Sequence, residues 1–179
     1  ISRDINKSIH YLTLSASQNN SDAQYYLGDI YYSGQYISRD ITKSIHYFTL
    51  SANQNNSNAQ CCLGIIYQKS EYISHDINKS IYYLTLSANQ NNINAQCCLG
   101  FLYYSGEYTS RDINRSIYYL TLSANQNNSY AQFILGKIYY LGEYIEKDIK
   151  KSIHYFKQSS CFNDSAAKNY LGIIYKNGD

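Results

Sequence analysis

The sequence contains no proline, nine glycines and only 16% charged residues. Without proline nothing locks φ or removes a backbone donor, so helices can run wherever the apolar pattern asks for them. No apolar run is long enough for a bilayer span, which excludes a transmembrane helix from these residues. The formal net charge is +2 and no cluster of five or more Lys or Arg occurs, so no nucleic-acid partner is expected. Cysteine is sparse and odd in number: Cys61-Cys62 and Cys97-Cys98 are adjacent pairs at equivalent places, with Cys161 left over. That is duplication rather than a disulfide framework, and it points to thiols in a reducing, cytoplasmic compartment.

What the chain does have is a repeat. Its 179 residues are one short of five times 36, and the sequence aligns on that period without insertion as Ile1 to Tyr36, Ile37 to Tyr72, Ile73 to Tyr108, Thr109 to Tyr144 and Ile145 to Asp179, a single segment spanning 1–179. Leu-Gly recurs at Leu27-Gly28, Leu63-Gly64, Leu99-Gly100, Leu135-Gly136 and Leu171-Gly172, with Ala four residues before the Leu and Tyr three residues after the Gly. Ala23, Leu27, Ile30 and Tyr31 therefore fall on one face of an α-helix, here called the LG helix. Ser21, Ser57 and Ser129, each followed three residues on by Gln24, Gln60 or Gln132, have capping-box spacing; Ile93 breaks it in the third repeat. Gly34, Gly106, Gly142 and Gly178 suit left-handed stops, and Ser70 in the same column predicts a frayed or strained end. The Gly beside each Leu costs helix propensity, which a close helix crossing would offset.

A second helix follows in every repeat, opened by Asp4, Asp40, Asp76, Asp112 or Asp148 as an acidic cap. Ile5, Ser8, Ile9, Leu12 and Ala16 form its buried stripe, with the small Ser8, Ser44, Ser80, Ser116 and Ser152 suited to a tight contact. Asn19-Asn20 and its equivalents end this Asp helix, since Asn tolerates the left-handed conformation. The product is an αα-hairpin array of about ten helices.

These columns resemble the Sel-1-like repeat, a relative of the tetratricopeptide repeat. One pass reads Ala95-Gln96-Cys97-Cys98-Leu99-Gly100-Phe101-Leu102-Tyr103-Tyr104-Ser105-Gly106, continuing through Asp112 to Ser116, and the match covers the whole chain. The departures are Ser116 and its equivalents for the family's Ala, Ser87-Ala88 for Ala-Ala, and Asn91 for the turn Gly. The resemblance implies an all-α, right-handed superhelical solenoid of antiparallel helix pairs, with LG helices lining a concave side. Disulfide-stapled bacterial relatives have been linked to β-lactam hydrolysis, but this chain lacks their paired cysteines.

The resemblance places partner contacts on the concave stripe. Tyr25, Asp29 and Tyr32 would lie there in the first LG helix, Cys61, Ile65 and Gln68 in the second, Cys97, Phe101 and Tyr104 in the third, and Tyr130, Phe133, Lys137 and Tyr140 in the fourth. These columns vary between repeats while the packing columns do not, either by neutral drift of solvated positions or because tyrosines on a groove bind protein or peptide. A four-thiolate zinc site from Cys61, Cys62, Cys97 and Cys98 is disfavoured, since adjacent cysteines cannot both aim at one ion, and no metal or cofactor is expected. His10, His46 and His154 share a column with Tyr82 and Tyr118, the mark of a surface aromatic slot rather than a catalytic base. No catalytic set recurs, so no enzyme is expected. Arg3, Arg39, His75, Arg111 and Lys147, four residues before Lys7, Lys43, Lys79, Arg115 and Lys151, would make a basic ridge; Glu71, Glu107 and Glu143 stand ready to neutralise it as solvated pairs.

The reading is a non-catalytic protein-interaction scaffold or adaptor, part of a longer protein since Ile1 follows no Met or signal peptide. The alternatives are a regulatory repeat region of a larger signalling enzyme, such as a kinase, and a lumenal quality-control ubiquitin-ligase adaptor in the endoplasmic reticulum. Asn-x-Ser sequons at Asn6, Asn19, Asn55, Asn78, Asn114, Asn127 and Asn163 would carry glycans only in the lumenal case. Both end faces expose apolar stripes that flanking repeats or self-association should cover.

Overall fold

The computed structural model describes residues 4–69, 73–161 and 165–178. Ten helices and no strand occur among them: α1 (Ile5–Ser17), α2 (Ser21–Ser33), α3 (Ile41–Asn53), α4 (Ser57–Gln68), α5 (Ile77–Asn89), α6 (Ile93–Ser105), α7 (Ile113–Ala124), α8 (Ser129–Leu141), α9 (Ile149–Ser160) and α10 (Ser165–Asn177). Odd-numbered helices up to α9 are Asp helices and even-numbered ones LG helices. The chain divides into an N-terminal unit, Ile1–Asn92, and a C-terminal unit, Ile93–Asp179.

In the N-terminal unit, α2 packs most extensively on α3, and α4 on α5. The reason is the glycine of each Leu-Gly pair. A Cβ on Gly28 would stand 2.6 Å from the Phe48 ring, and one on Gly64 would stand 2.5 Å from Leu84 Cγ. Phe48 and Leu84 are 0% exposed, so the missing side chain is a socket into which the following Asp helix inserts its largest apolar residue. The same joint recurs in the C-terminal unit, where a Cβ on Gly100 would stand 2.6 Å from Leu120 Cγ and one on Gly136 2.6 Å from Phe156 Cδ1. Burying such a side chain contributes about 1.5–3 kcal/mol. Nothing lies within 4 Å of a Cβ on Gly172. At the other end α1 keeps the stripe, but only Ala16 of it is buried, because α1 packs on α2 alone.

Each Asp helix starts as expected: Lys7 N donates to Asp4 Oδ1 at 3.1 Å, and Lys43, Lys79, Arg115 and Lys151 do the same to their Asp at 2.9–3.0 Å. The second carboxylate oxygen pairs with the same residue's side chain at 3.3–3.4 Å. Asp40 N also reaches back to Tyr31 O at 3.0 Å, as do the amides of Asp76, Asp112 and Asp148 to Tyr67, Tyr103 and Tyr139, satisfying carbonyls at the end of the preceding LG helix. Asn19, Asn55, Asn91 and Asn127 hold φ of 61–67°, and the next amide closes a Schellman bond, as in Asn20 N to Ser15 O at 3.2 Å.

The LG helices start differently from the expectation. The N-caps are Asn20, Asn56 and Asn128, whose side chains accept from Ala23, Ala59 and Ala131 N, and Ser21, Ser57 and Ser129 are the first helical residues. The capping box is therefore wrong: Gln24, Gln60 and Gln132 do not reach back to a cap. They are buried, and Gln24 Nε2 donates to Ala16 O at 3.3 Å while its Oε1 accepts from Gln54 Nε2 at 2.7 Å. Gln60 with Gln90, and Gln96 with Gln126, repeat that amide pair at 2.7 and 2.8 Å. A second tie runs from Ser51 Oγ to Ser21 O at 2.8 Å, repeated by Ser87, Ser123 and Ser159. This tie accounts for the Ser of the Ser-Ala departures.

Left-handed stops occur at Gly34, Gly106, Gly142 and Gly178. Ser70, expected to fray its helix, lies outside the described residues, as do Arg3, Glu71 and Asn163. α4 ends at Gln68 on an extended Lys69 instead of a left-handed cap.

Candidate functional site

The LG helices offer the candidate surface. In the N-terminal unit, Tyr25 is half-buried, its ring centre 5.8 Å from that of Phe48 and 5.4 Å from that of Tyr26. Burial pushes its phenol up to about 12, with Cys62 and Asp29 adding to the effect. Asp29 is exposed, and Tyr32 is half-buried with the Arg39 guanidinium 5.8 Å from its ring centre. Ile65 and Gln68 are half-buried on α4.

Cys61 and Cys97 are corrections to the expected stripe. They are 5% and 8% exposed and face packing seams, not an open surface. Their column also holds Tyr25 and Phe133, which touch the Phe knobs Phe48 and Phe156. Within the chain, aromatic sits with Phe and Cys sits with Leu, so packing governs this column. All five cysteines are thiols rather than disulfide halves. Burial pushes Cys62 and Cys97 up to about 12, so neither supplies a thiolate near neutrality. Among the described residues no three His, Cys, Asp or Glu side chains gather as metal ligands.

The C-terminal unit carries the aromatic part of the surface. Phe101 on α6 lies with its ring centre 6.5 Å from Tyr104 and 5.9 Å from Tyr130 of α8. Phe133 meets Tyr170 of α10 edge-on at 5.9 Å, and Tyr140 meets the same ring at 5.5 Å. Two cations lie over these rings, Lys137 Nζ at 6.0 Å from the Phe133 centre and Lys147 Nζ at 5.3 Å from Tyr140. Tyr104, Ile138, Leu141, Glu143 and Tyr144 line a shallow crevice of about 10 Å³, room for roughly one water molecule. Sequence reasoning missed Tyr170, Leu141 and Tyr144. The signal available for Leu141 was its column, where Ser33, Lys69 and Ser105 are polar.

The other singled-out residues are structural. Tyr31 stacks on Tyr47 at 5.8 Å under Lys43, and Tyr67, Tyr103 and Tyr139 repeat the arrangement with Tyr83, Tyr119 and Tyr155. His10, His46, Tyr82, Tyr118 and His154 are exposed and meet the next residue's ring edge-on, a surface aromatic slot as expected. In the basic ridge Arg39 and Arg111 donate to Ser33 O and Ser105 O, capping helix ends, and Arg111 also bonds the Tyr144 hydroxyl. The carboxylates that pair with the cations of Lys7, Lys43, Lys79, Arg115 and Lys151 are the capping aspartates.

The family model described as Sel1 repeat matches residues 1–20, 21–56, 57–92, 93–128 and 129–161, and the chain belongs to that family. Each full frame pairs one LG helix with the Asp helix that follows it, the pair joined by the glycine socket. No curated protein matches the chain by sequence. Among solved structures, a Sel1 repeat protein from Oxalobacter formigenes is 28% identical with a TM-score of 0.88, covering 99% of this chain and 73% of that one. A protective antigen of uropathogenic Escherichia coli, c5321, displaying the same repeat fold, is 24% identical with a TM-score of 0.90 over 95% of this chain. This chain spans 36% of that antigen's length. The cysteine-rich protein B of Helicobacter pylori is 22% identical, with a TM-score of 0.56 over 76% of this chain and 98% of that one. The fold is thus that of the Sel1-repeat solenoids, a family of repeat proteins that commonly act as interaction scaffolds.

Proposed function

We propose that this chain is a non-catalytic scaffold segment that holds protein or peptide partners on the open face of its LG helices. The observation that carries the reading is the run of aromatic side chains on α6, α8 and α10, in which Phe101, Tyr104, Tyr130 and Tyr140 stay partly open although none fills a glycine socket. Tyrosine offers large contact area for few rotatable bonds, so it gains binding energy at low entropic cost. Several such contacts on a preorganised helical array add without a folding penalty at the moment of binding. The conspicuous Asp, Arg and His columns are taken up in helix caps and ring contacts, which supports a scaffold role for them.

The test is affinity capture with the intact chain beside a Tyr32→Ala/Tyr104→Ala/Tyr140→Ala variant of equal helicity, followed by titration of the purified partner. A partner that binds the parent directly and loses affinity with the variant supports the reading. Equal binding to both would move the contact off the LG-helix face and refute it.

A further inference from the structure

The charge on the LG-helix face changes sign along one column, and that change identifies the chemistry of a partner. The column reads Asp29, Ile65, Phe101, Lys137, Ile173. The N-terminal unit presents exposed Asp22 and Asp29 on α2. The C-terminal unit presents Lys137 and Lys147 over the rings of Phe133 and Tyr140. Neither lysine has a carboxylate within ion-pair distance among the described residues, whereas Lys43, Lys79, Arg115 and Lys151 are each paired with a capping Asp. Beside them, the crevice at Tyr104 departs from its own repeat. Leu141 is 40% exposed where the other repeats place Ser33, Lys69 and Ser105, and Ile138 beneath it is buried. The crevice is shallow, and exposed Leu141 makes its rim apolar.

On the reading that the LG-helix face binds a partner, we infer that the C-terminal unit takes an acidic peptide segment with an apolar anchor. The anchor side chain packs on exposed Leu141 at the rim of that shallow crevice, and carboxylates beside it meet Lys137 and Lys147. A carboxylate placed there meets two ammonium groups that lack an acidic partner, so it gains attraction without breaking an existing ion pair. A basic segment would meet the same two charges as repulsion, eased by Glu143 of the crevice lining and by Glu146 next to Lys147. Glu143 sets the polarity of the site: the uncharged anchor, not an acid, belongs at its end.

The experiment pans a random dodecapeptide phage library against the intact chain and against a Lys137→Glu/Lys147→Glu variant, with circular dichroism to confirm equal helicity. Enriched peptides are then synthesised, and their affinity is read by fluorescence anisotropy at low and high salt. Enriched sequences with two or more Asp or Glu around a Leu, Ile or Phe, binding about tenfold or more weakly to the double variant and to Leu141→Asp, are expected, with affinity falling as salt rises. Enrichment of basic or uncharged peptides, or equal binding to the double variant, overturns the inference. Peptides that ignore Lys137 and Lys147 but are lost with Tyr26→Ala/Asp29→Lys overturn it too while leaving the scaffold reading intact. Absence of any enrichment overturns both.

Discussion

One substitution made at two equivalent positions tests the joint that builds the array. Gly100 and Gly172 occupy the same place in their LG helices, and in both Ala would raise helix propensity by about 1 kcal/mol. At Gly172 nothing lies within 4 Å of the added Cβ, so that gain should appear in full. At Gly100 the Cβ would sit 2.6 Å from Leu120 Cγ, 2.8 Å from its Cδ2 and 3.0 Å from its backbone nitrogen. Ordinary contact begins near 3.4 Å, so Leu120 would have to move by 0.4 Å at the nitrogen and 0.8 Å at Cγ. A backbone atom cannot rotate away, and Leu120 is 0% exposed, so α7 would have to back off α6. Over-packing of this kind costs about 1–3 kcal/mol, and the backbone contact places Gly100 at the upper end. After the propensity gain the net loss is about 2 kcal/mol, against a net gain of about 1 kcal/mol at Gly172, a spread of about 3 kcal/mol.

Urea unfolding followed by far-ultraviolet circular dichroism measures both, with the midpoint compared at constant slope. Hydrogen exchange locates the effect, because nearest-neighbour arrays lose stability where the interface is damaged, here the amides of α6 and α7. A Gly100→Ala chain as stable as Gly172→Ala would mean that the two helices do not approach as described, and the socket account would fall.

Three further perturbations have signed outcomes. Ser44, Ser80 and Ser116 Oγ are buried without a hydrogen-bond partner, while Ser152 Oγ donates to Gly136 O at 2.9 Å, so Ser80→Ala should stabilise by about 1 kcal/mol and Ser152→Ala should destabilise by a similar amount; equal signs in urea unfolding would show the Ser80 hydroxyl to be bonded after all. Cys62, Cys97 and Tyr25 have folded values raised to about 12, so the folded state holds protons that the unfolded chain releases from about pH 9 for the thiols and pH 10 for the phenol; the contribution of these groups should be constant below pH 9 and be lost as pH rises toward 12, and a Cys62→Ala/Cys97→Ala chain with an equally steep alkaline fall would contradict this. Gln54 Nε2 donates to the buried Gln24 Oε1 at 2.7 Å, so Gln54→Ala, which strips that acceptor of its donor, should lower the unfolding midpoint by the equivalent of about 1 kcal/mol, and no change would show that the amide ladder contributes nothing at that joint.

The helices, the Asp caps, the Asn turns and the glycine crossings were legible because each is written in local spacing repeated five times. What was not legible depended on contacts 30 residues away. Ser21-x-x-Gln24 has capping-box spacing, but Asn20, one residue earlier, offers the better acceptor and also closes the preceding helix. Gln24 is held inward by Gln54, which a local motif cannot reveal. Cys61 and Cys97 lie at the border between packed and open faces, where helical spacing alone cannot say which side a neighbouring helix covers. The candidate surface was half legible for the same reason: Phe101, Tyr104, Tyr130 and Tyr140 lie where the spacing put them, yet Tyr170 joins them only through the approach of α10 to α8.

A repeated chain carries its own controls, and they separate packing from function without reference to any other protein. Where two columns change together across a contact, as Tyr25 with Phe48 and Phe133 with Phe156 against Cys97 with Leu120, the joint explains the variation and no partner is needed. Where a residue departs from its column and no neighbour in the fold compensates, packing gives no account of it. Leu141 is a departure of that second kind, an exposed aliphatic group where its column otherwise holds Ser33, Lys69, Ser105 and Asn177, and Lys137, held over the Phe133 ring, is the one cation of a column that otherwise reads Asp29, Ile65, Phe101 and Ile173. Both lie on α8, one helical turn apart, on the side that carries the aromatic rings. A partner on this face would recover the solvation that exposed Leu141 forgoes and would give Lys137 a charge partner, which is why the proposed site is placed on this turn.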